Sequence, residues 1–200
     1  MDKVINFEKL IEFVKINTST YDESHDFNHA LSVFENCKKI IELESEILFE
    51  IDWNLIAYTA LLHDVCDHKY VSCITKEDLF KFVEENLGSD KATQVLSIID
   101  NISYSKEAKG KLVKLEEPYE TYRNIISDAD KIEALGEVGL KRCIQFSNAH
   151  NGNVVEHCHE KLLRLLPDGF IRTSGGKQLA VAGHEYILNY VDEKEGRKIN

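Results

Sequence analysis

The sequence has very little proline and few stretches in which polar and apolar residues alternate. Its 200 residues include two prolines, Pro118 and Pro167. Alternation with a period of two is typical of a half-buried strand, whereas the apolar residues here recur at intervals of three and four along most of the chain. The scarcity of strand-like runs and the helical spacing together predict an all-α fold.

The sequence also lacks a long apolar run and paired cysteines. A membrane-spanning helix needs roughly 18 or more apolar residues in succession, and no such run occurs. The N-terminal stretch mixes charges among its apolar residues, which excludes a secretory signal peptide. The five cysteines are scattered and form no CxxC pair, which favours reduced thiols. We therefore expect a cytoplasmic protein with no membrane partner.

Positive charge is scarce as well. Lys and Arg total 24 residues against 35 Asp and Glu, which gives a formal net charge of -11. Proteins that bind nucleic acid polymers need clustered basic residues against the phosphates, so we expect no polymer of this kind as a partner. A small phosphorylated substrate stays compatible with the charge, because a divalent cation and a few lysines can dominate one site.

The length predicts one domain over residues 1–200, because about 100 to 200 residues per domain is usual and no linker or repeat divides the chain. The periodicity predicts an N-terminal helix over 4–16 that packs on the core. It also predicts a helix over 27–43 with Leu31, Phe34 and Ile40 on its apolar face. Later helices are predicted over 52–64, 75–88, 89–102, 122–135, 140–149, 155–165 and 178–191, and a long loop over 103–120.

Capping residues support several of these boundaries. Asp52 is a predicted N-cap, and Thr75 with Asp78 three residues later is a variant of the capping box. Gly88 is a predicted C-terminal stop, after which Ser89 or Asp90 would cap the next helix.

Polar residues interrupt the apolar runs at three places. His63 and Asp64 follow LIAYTALL, Asp128 and Asp130 lie between NII and KIEAL, and His29 lies inside FNHALSVF. Burying a charge is costly unless the charge is paired or binds a metal. Each residue alone also has an ordinary structural explanation, as a helix histidine, a helix end or an N-cap.

The order of these residues resembles the H...HD...D pattern of the HD-domain metal-dependent phosphohydrolase superfamily. The stretches DESHDFNHALSV, LLHDVCDHK, ISDADKIEALGEVGLKRC, HEKLLRL and QLAVAGHEY are similar to small stand-alone HD proteins and cover residues from about 21 to 195. The resemblance implies an all-α HD-domain fold. It also implies hydrolysis of a phosphomonoester or pyrophosphate bond in a small phosphorylated substrate, with nucleotides favoured, and the chain could form a homodimer.

The resemblance further implies four metal ligands: His29, His63, Asp64 and Asp130. Two imidazoles and two carboxylates suit one divalent ion, such as Mn, Mg, Fe, Co, Ni or Zn, and leave positions for water and a substrate oxygen. Adjacent residues lie about 100° apart on a helix. His63 and Asp64 can therefore reach one ion only where the helix ends.

Three further residues near the predicted ligands are candidates for the chemistry. Lys69 would contact a phosphate, Asp67 would accept a proton or orient a ligand histidine, and His25 would contact substrate or support the site. Asp67 could equally be a turn residue. We predict that His68 is neither a ligand nor a base, and that Asp128 caps its helix or orients a ligand. Lys131 is a weaker candidate for a phosphate contact than Lys69, because a shift of one residue from Asp130 puts it on another face of the helix.

Several different functions are also compatible with the sequence. A degenerate HD fold could act as a non-catalytic or regulatory module that binds nucleotide or metal. A two-iron oxygenase is disfavoured because no histidine lies between His68 and His150. A structural zinc site could draw on Cys66, His68, Cys73, His157, Cys158 and His159, although the spacings match no common module. Cys66 could be a nucleophile, although no separate His and Asn pattern supports that role. The segment DGFIRTSGGKQ fails the phosphate-loop pattern and predicts a turn, from which Arg172 or Lys177 could approach a phosphate.

Overall fold

Every regular element in the described part of the chain is helical, which confirms the all-α prediction. This computed structural model describes residues 7–23, 25–45, 47 and 49–197. Its helices are α1 (Phe7–Asn17), α2 (Phe27–Leu43), α3 (Trp53–Leu62), α4 (Lys76–Leu87), α5 (Ser89–Ile99), α6 (Tyr104–Ala108), α7 (Tyr119–Glu133), α8 (Gly136–Ala149), α9 (Val154–Glu160) and α10 (Ser174–Glu195). A short 3-10 helix, Leu162–Arg164, follows α9.

Helix α3 lies at the centre of the larger apolar core. All its residues from Leu55 to Leu62 are buried, because LIAYTALL has no polar face to turn to solvent. Helices α1, α2, α5 and α7 pack against it. The end of α3, where the polar residues His63 and Asp64 follow, is therefore held between α2 and α7.

A smaller apolar cluster is formed by α8, α9, α10 and the 3-10 helix. Leu140, Cys158, Leu162 and Ile187 are among its buried members. Ile132 of α7 packs against both clusters and connects them. Of the described helices, none combines the length and the apolar character needed to cross a membrane.

The predictions drawn from local signals agree closely with the structure. Helix α2 has the predicted bounds. Asp52 caps α3 by accepting from the backbone N–H of Leu55 at 3.1 Å, and Thr75 caps α4 through the N–H of Asp78. Gly88 ends α4 with a positive φ of 93°. A side chain with a Cβ rarely adopts this backbone conformation, so the glycine is required there.

Other predictions need correction. Leu31 is 37% exposed, because the buried face of α2 runs instead through Ala30, Val33 and Cys37. Gly88 itself precedes α5 and no side chain caps that helix, so the predicted cap at Ser89 or Asp90 was wrong. The segment over 103–120 contains α6 and the start of α7.

The helix ends near the termini also differ from the prediction. The described part of α1 agrees with the predicted N-terminal helix, whose residues 4–6 lie outside the described residues. The segment over 155–165 is divided between α9 and the 3-10 helix. Helix α10 begins at Ser174, so Gly175 and Gly176 lie in its first turn and not in the predicted turn.

Candidate metal site and substrate cavity

The four predicted metal ligands come from three helices that meet at the end of α3. His29 is in the first turn of α2, where Asp26 caps the helix by accepting from the His29 backbone N–H at 2.9 Å. Asp130 is near the end of α7. His63 and Asp64 directly follow Leu62, the last residue of α3, so this pair stands where the regular helix stops, as the geometry of adjacent ligands requires.

Each of the two histidines lies close to both carboxylates. Nε2 of His29 lies 3.3 Å from Oδ1 of Asp130 and 3.5 Å from Oδ2 of Asp64. Nε2 of His63 lies 3.1 Å from Oδ2 of Asp64 and 3.8 Å from Oδ1 of Asp130. Ligand atoms about 2.1 Å from one ion are roughly 3.0 to 3.4 Å apart in octahedral or tetrahedral geometry. The observed separations are close to this range.

The hydrogen bonding of His63 also fits a metal ligand. Its Nδ1 is 2.7 Å from the carbonyl oxygen of Ala60, which fixes the ring and leaves Nε2 as the free donor atom. Nε2 is buried and makes no hydrogen bond of good geometry. His29 differs, because its Nδ1 is buried with no partner among the described residues.

The charges of the cluster require a cation. Burial alone would lower the pKa of His29, but its hydrogen bonds to Asp130 and Asp64 raise that pKa to about 10. Burial would raise the pKa of Asp64, but the two histidines hold it well below its usual range. Two partly buried carboxylates thus demand compensating positive charge, which protons on the imidazoles or one divalent ion can supply. The donor set and its electrostatics both fit the predicted divalent metal.

A cavity of about 630 Å³ opens above the cluster, and Asp130 remains 33% exposed toward solvent. Its basic lining residues are Lys69, Lys76, Lys106, Arg142 and Lys161. Lys76 is paired with Asp100, and Arg142 lies 3.7 Å from Glu133. Lys161 has no ion pair within the described residues, so the cavity holds a cation without an internal counter-ion.

The three other predicted site residues, His25, Asp67 and Lys69, form one wall of this cavity. Nζ of Lys69 lies 3.0 Å from Oδ2 of Asp67 and 3.3 Å from Nε2 of His25. Nδ1 of His25 lies 2.9 Å from the hydroxyl of Tyr70 and 3.1 Å from Asp22. These contacts at Nδ1 direct Nε2 of His25 toward the lysine and the cavity.

Tyr70 and Arg142 are candidate site residues that the sequence reasoning missed. Tyr70 stacks on Tyr21 with ring centroids 3.8 Å apart, which holds its hydroxyl beside His25. The sequence signal that could have indicated Tyr70 is its position next to Lys69. Arg142 lies within the conspicuous stretch EVGLKRC, but nothing in the sequence indicates that α8 turns this side chain into the cavity.

Asp128 and Lys131, beside Asp130 on α7, face away from the cavity. Asp128 accepts from the backbone N–H groups of Arg172 and Thr173 and from the Thr173 hydroxyl, at 2.7 to 3.0 Å. It therefore holds the two residues that precede α10, where Thr173 is the N-cap, and it does not cap its own helix, because it lies in the last part of α7. Lys131 is buried and bonds Glu107, Ser127 and the carbonyl of Phe170.

A cysteine-based zinc site and a cysteine nucleophile find no support in the described residues. Cys66, Cys73 and Cys158 take no part in a group of three ligand atoms within 4.8 Å of one another. The group found in the described residues consists of His29, His63 and Asp64, and Asp130 adjoins it through the two histidines. Burial raises the pKa of the Cys66 thiol to about 11, so this residue stays protonated at neutral pH and is a poor nucleophile.

The remaining polar candidates from the sequence lie at the rim of the cavity or outside it. His68 is on the rim, and its side chain is 98% exposed. Arg172 pairs with Glu107, and neither Arg172 nor Lys177 lines the cavity.

Comparison with known proteins identifies the fold. No family model matches the chain. The chain is 27% identical over 205 residues to YpgQ of Bacillus subtilis, an uncharacterized protein, and covers 95% of its length. It is 26% identical over 138 residues to the uncharacterized protein L803 of Acanthamoeba polyphaga mimivirus, which is 62% of this chain.

Comparison with solved structures shows the fold. An HD-superfamily hydrolase from Bacillus thuringiensis superimposes with a TM-score of 0.70 over 94% of each chain, at 24% identity. The complex of YpgQ with ADP gives a TM-score of 0.73 over 94% of this chain and 93% of YpgQ, at 23% identity. The chain therefore has the HD-domain fold that the sequence pattern predicted.

Proposed function

We propose that this chain is a metal-dependent phosphohydrolase that acts on a small phosphorylated substrate, and that the substrate is a nucleotide. One observation carries the proposal: two imidazoles and two carboxylates converge at the base of a cavity whose walls present unneutralised positive charge. His29, His63, Asp64 and Asp130 would hold one divalent ion, and Mn²⁺ is the metal chosen for the test. The protein would act in the cytoplasm.

The ion would lower the pKa of a bound water and draw charge from the phosphoryl oxygen under attack. Residues of the cavity wall would compensate the charge of the substrate and accept the proton of the water. Lys69 would offset the negative charge of the substrate, as would Lys161 from the other side. Asp67, held 3.0 Å from Lys69, would accept the proton of the attacking water, with His25 oriented beside it by Tyr70.

The choice of a nucleotide rests on two supports. The structure of YpgQ, which is similar to this chain over nearly its whole length, contains ADP. The cavity of about 630 Å³ is also large enough for a nucleotide-sized molecule. The bond cut would be a phosphomonoester or a pyrophosphate bond, so the assay must detect both products.

The test is a nucleotide screen with Mn²⁺ that reports both phosphate and pyrophosphate. The wild-type chain should release one of them, EDTA should abolish the release, and Asp64→Ala should lower it by about 100-fold or more. Asp90→Ala, which removes an exposed carboxylate of α5, is the matched control and should keep full activity.

Two outcomes would count against the proposal. Release that persists unchanged in Asp64→Ala would contradict the metal mechanism. Metal-dependent nucleotide binding without any release would favour a regulatory HD-fold module instead of an enzyme.

A further inference from the structure

An exposed aromatic residue lies on the cavity wall outside the predicted chemistry. Phe146 of α8 lines the cavity, yet its side chain is 52% exposed. Large apolar side chains in such positions are candidates for ligand contact. No helix packs over the exposed part of this ring in the described chain, so the ring is available to a molecule in the cavity.

Two histidines pack against the Phe146 ring. His150 stacks on it, with centroids 4.3 Å apart and planes 29° apart, and its Nδ1 is 2.8 Å from the carbonyl oxygen of Phe146. His157 of α9 meets it nearly edge-on, with centroids 5.5 Å apart and planes 65° apart. His157 also lines the cavity. The arrangement fixes the orientation of the phenyl ring before any ligand binds.

His157 is suited to a neutral partner. Burial, and after it the charge of Lys161, lower the pKa of His157 below its usual value. Its imidazole is therefore neutral at physiological pH and offers one donor and one acceptor nitrogen. A phosphate would gain little from this residue, whereas the polar edge of a heterocycle could hydrogen-bond to it.

The cavity lining includes groups suited to both the phosphate and the base of a nucleotide. Asp130 belongs to the metal cluster, and its charge acts on Lys161. Lys161 follows His157 by four residues, about one helical turn, and acts on its pKa. His157 contacts Phe146. Metal ligands, an unpaired cation and a neutral aromatic pair thus line the same cavity.

We propose that Phe146 and His157 form a nucleobase-binding subsite, in which the base stacks on the phenyl ring and His157 contacts its polar edge. The inference rests on the proposed function, since it assumes that the phosphate end of the substrate lies at the metal cluster. Stacking on an aromatic side chain tolerates any base, because every base has a π-face. The subsite would therefore recognise nucleotides as a class and discriminate weakly among bases.

The test uses two ligands that cannot be hydrolysed and that differ only in the nucleoside. Calorimetry with Mn²⁺ would measure the affinity of α,β-methylene-ADP and of methylenediphosphonate. Phe146→Ala should weaken binding of the nucleotide analogue by about 5- to 100-fold, because stacking contributes on this scale. Binding of methylenediphosphonate should not change. Phe146→Trp should retain the affinity for the nucleotide analogue.

Tyr186→Ala is the control variant. It removes an exposed aromatic ring on α10 that is outside the cavity lining, so both affinities should stay at the wild-type values. Equal loss of both ligands in Phe146→Ala would overturn the subsite, because the residue would then act on the phosphate end or the fold.

Two further outcomes separate this inference from the proposed function. Unchanged binding of both ligands in Phe146→Ala would overturn the subsite alone. A wild-type chain that binds neither ligand would overturn the nucleotide substrate, and the subsite with it.

Discussion

Lys161 is a half-buried lysine without an ion-pair partner in the described residues. Burial lowers its pKa, Asp130 opposes the shift, and Lys69 adds to it. An unpaired cation in a partly desolvated position is costly for the fold. Such a residue is useful where it meets an anion, and its place in the lining of the cavity that contains the metal cluster indicates the phosphate of a substrate.

Replacing Lys161 should separate activity from stability. Lys161→Met keeps the apolar stem but removes the charge, so we expect kcat/KM for the nucleotide to fall by about 10- to 100-fold. The lysine has no ion-pair partner to lose within the described residues, but its Nζ lies 5.1 Å from the centroid of the Tyr104 ring, a contact that contributes about 0.5 to 1 kcal/mol. The free energy of unfolding should therefore fall by no more than about 1 kcal/mol. Steady-state kinetics and urea unfolding would measure the two effects.

Lys141 of α8 provides the control. It is 65% exposed and lies 3.6 Å from Glu23, and surface pairs of this kind contribute little. Lys141→Met should leave both quantities at the wild-type values. A loss of stability in Lys161→Met that matched its loss of activity would show that the lysine is structural.

At the scale of elements, the start of α10 is tied to α7 through Asp128. This carboxylate accepts from the backbone N–H groups of Arg172 and Thr173 and from the Thr173 hydroxyl, directly before α10. A Cβ on Gly176 would come within 2.8 Å of Oδ2 of Asp128, and one on Gly175 within 2.7 Å of the carbonyl oxygen of Ile40. The two glycines therefore allow α10 to approach α7 and α2 closely.

Removing this carboxylate should destabilise the fold. Asp128→Ala leaves the partly buried donors of Arg172 and Thr173 without their acceptor, and we expect a loss of about 1 to 3 kcal/mol in the free energy of unfolding. Urea unfolding would measure the loss. Asp168→Ala is the control: that exposed side chain pairs only with exposed Arg164 and should cost under about 1 kcal/mol. Equal stability of the two variants would contradict the stabilising role of the hydrogen bonds that Asp128 accepts.

The elements also show where sequence reasoning succeeds and where it fails. The bounds of α2 and the caps Asp52 and Thr75 could be predicted because each depends on neighbouring residues in the chain. The start of α10 could not, because two glycines in succession indicate a turn unless the close approach of another helix is known. The exposure of Leu31 and the burial of Lys131 likewise depend on which helices pack against α2 and α7.

The candidate site also combines features that the sequence predicts with features that depend on packing. The order His29, His63, Asp64 and Asp130 was visible in the sequence, and the fold brings those four side chains together. The role of Lys161 as an unpaired cation and the exposure of Phe146 arise from the packing of α8 and α9. No spacing in the sequence specifies that packing.

At the scale of the whole molecule, the metal cluster joins α2, α3 and α7. An ion that binds only the folded state stabilises it, by about 2.7 kcal/mol when the free ion is at 100 times its Kd. For a chain of this length, 1 kcal/mol shifts the Tm by roughly 2 to 4 °C. We therefore expect Mn²⁺ to raise the Tm of EDTA-treated protein by about 5 to 10 °C.

Differential scanning calorimetry would measure this shift. Asp64→Ala removes a ligand, so its Tm should respond to Mn²⁺ by less than about 2 °C. The same shift in the variant and the wild type would place the stabilising ion at another site.

The central claim is that His29, His63, Asp64 and Asp130 hold one ion and that this ion drives hydrolysis. The most direct measurement is metal content by elemental analysis together with phosphate and pyrophosphate release, on the same samples of wild type and Asp130→Ala. The account predicts one ion per wild-type chain, release in proportion to bound metal, and loss of both in the variant. Full release from metal-free protein, or a variant that keeps both its ion and its activity, would contradict it.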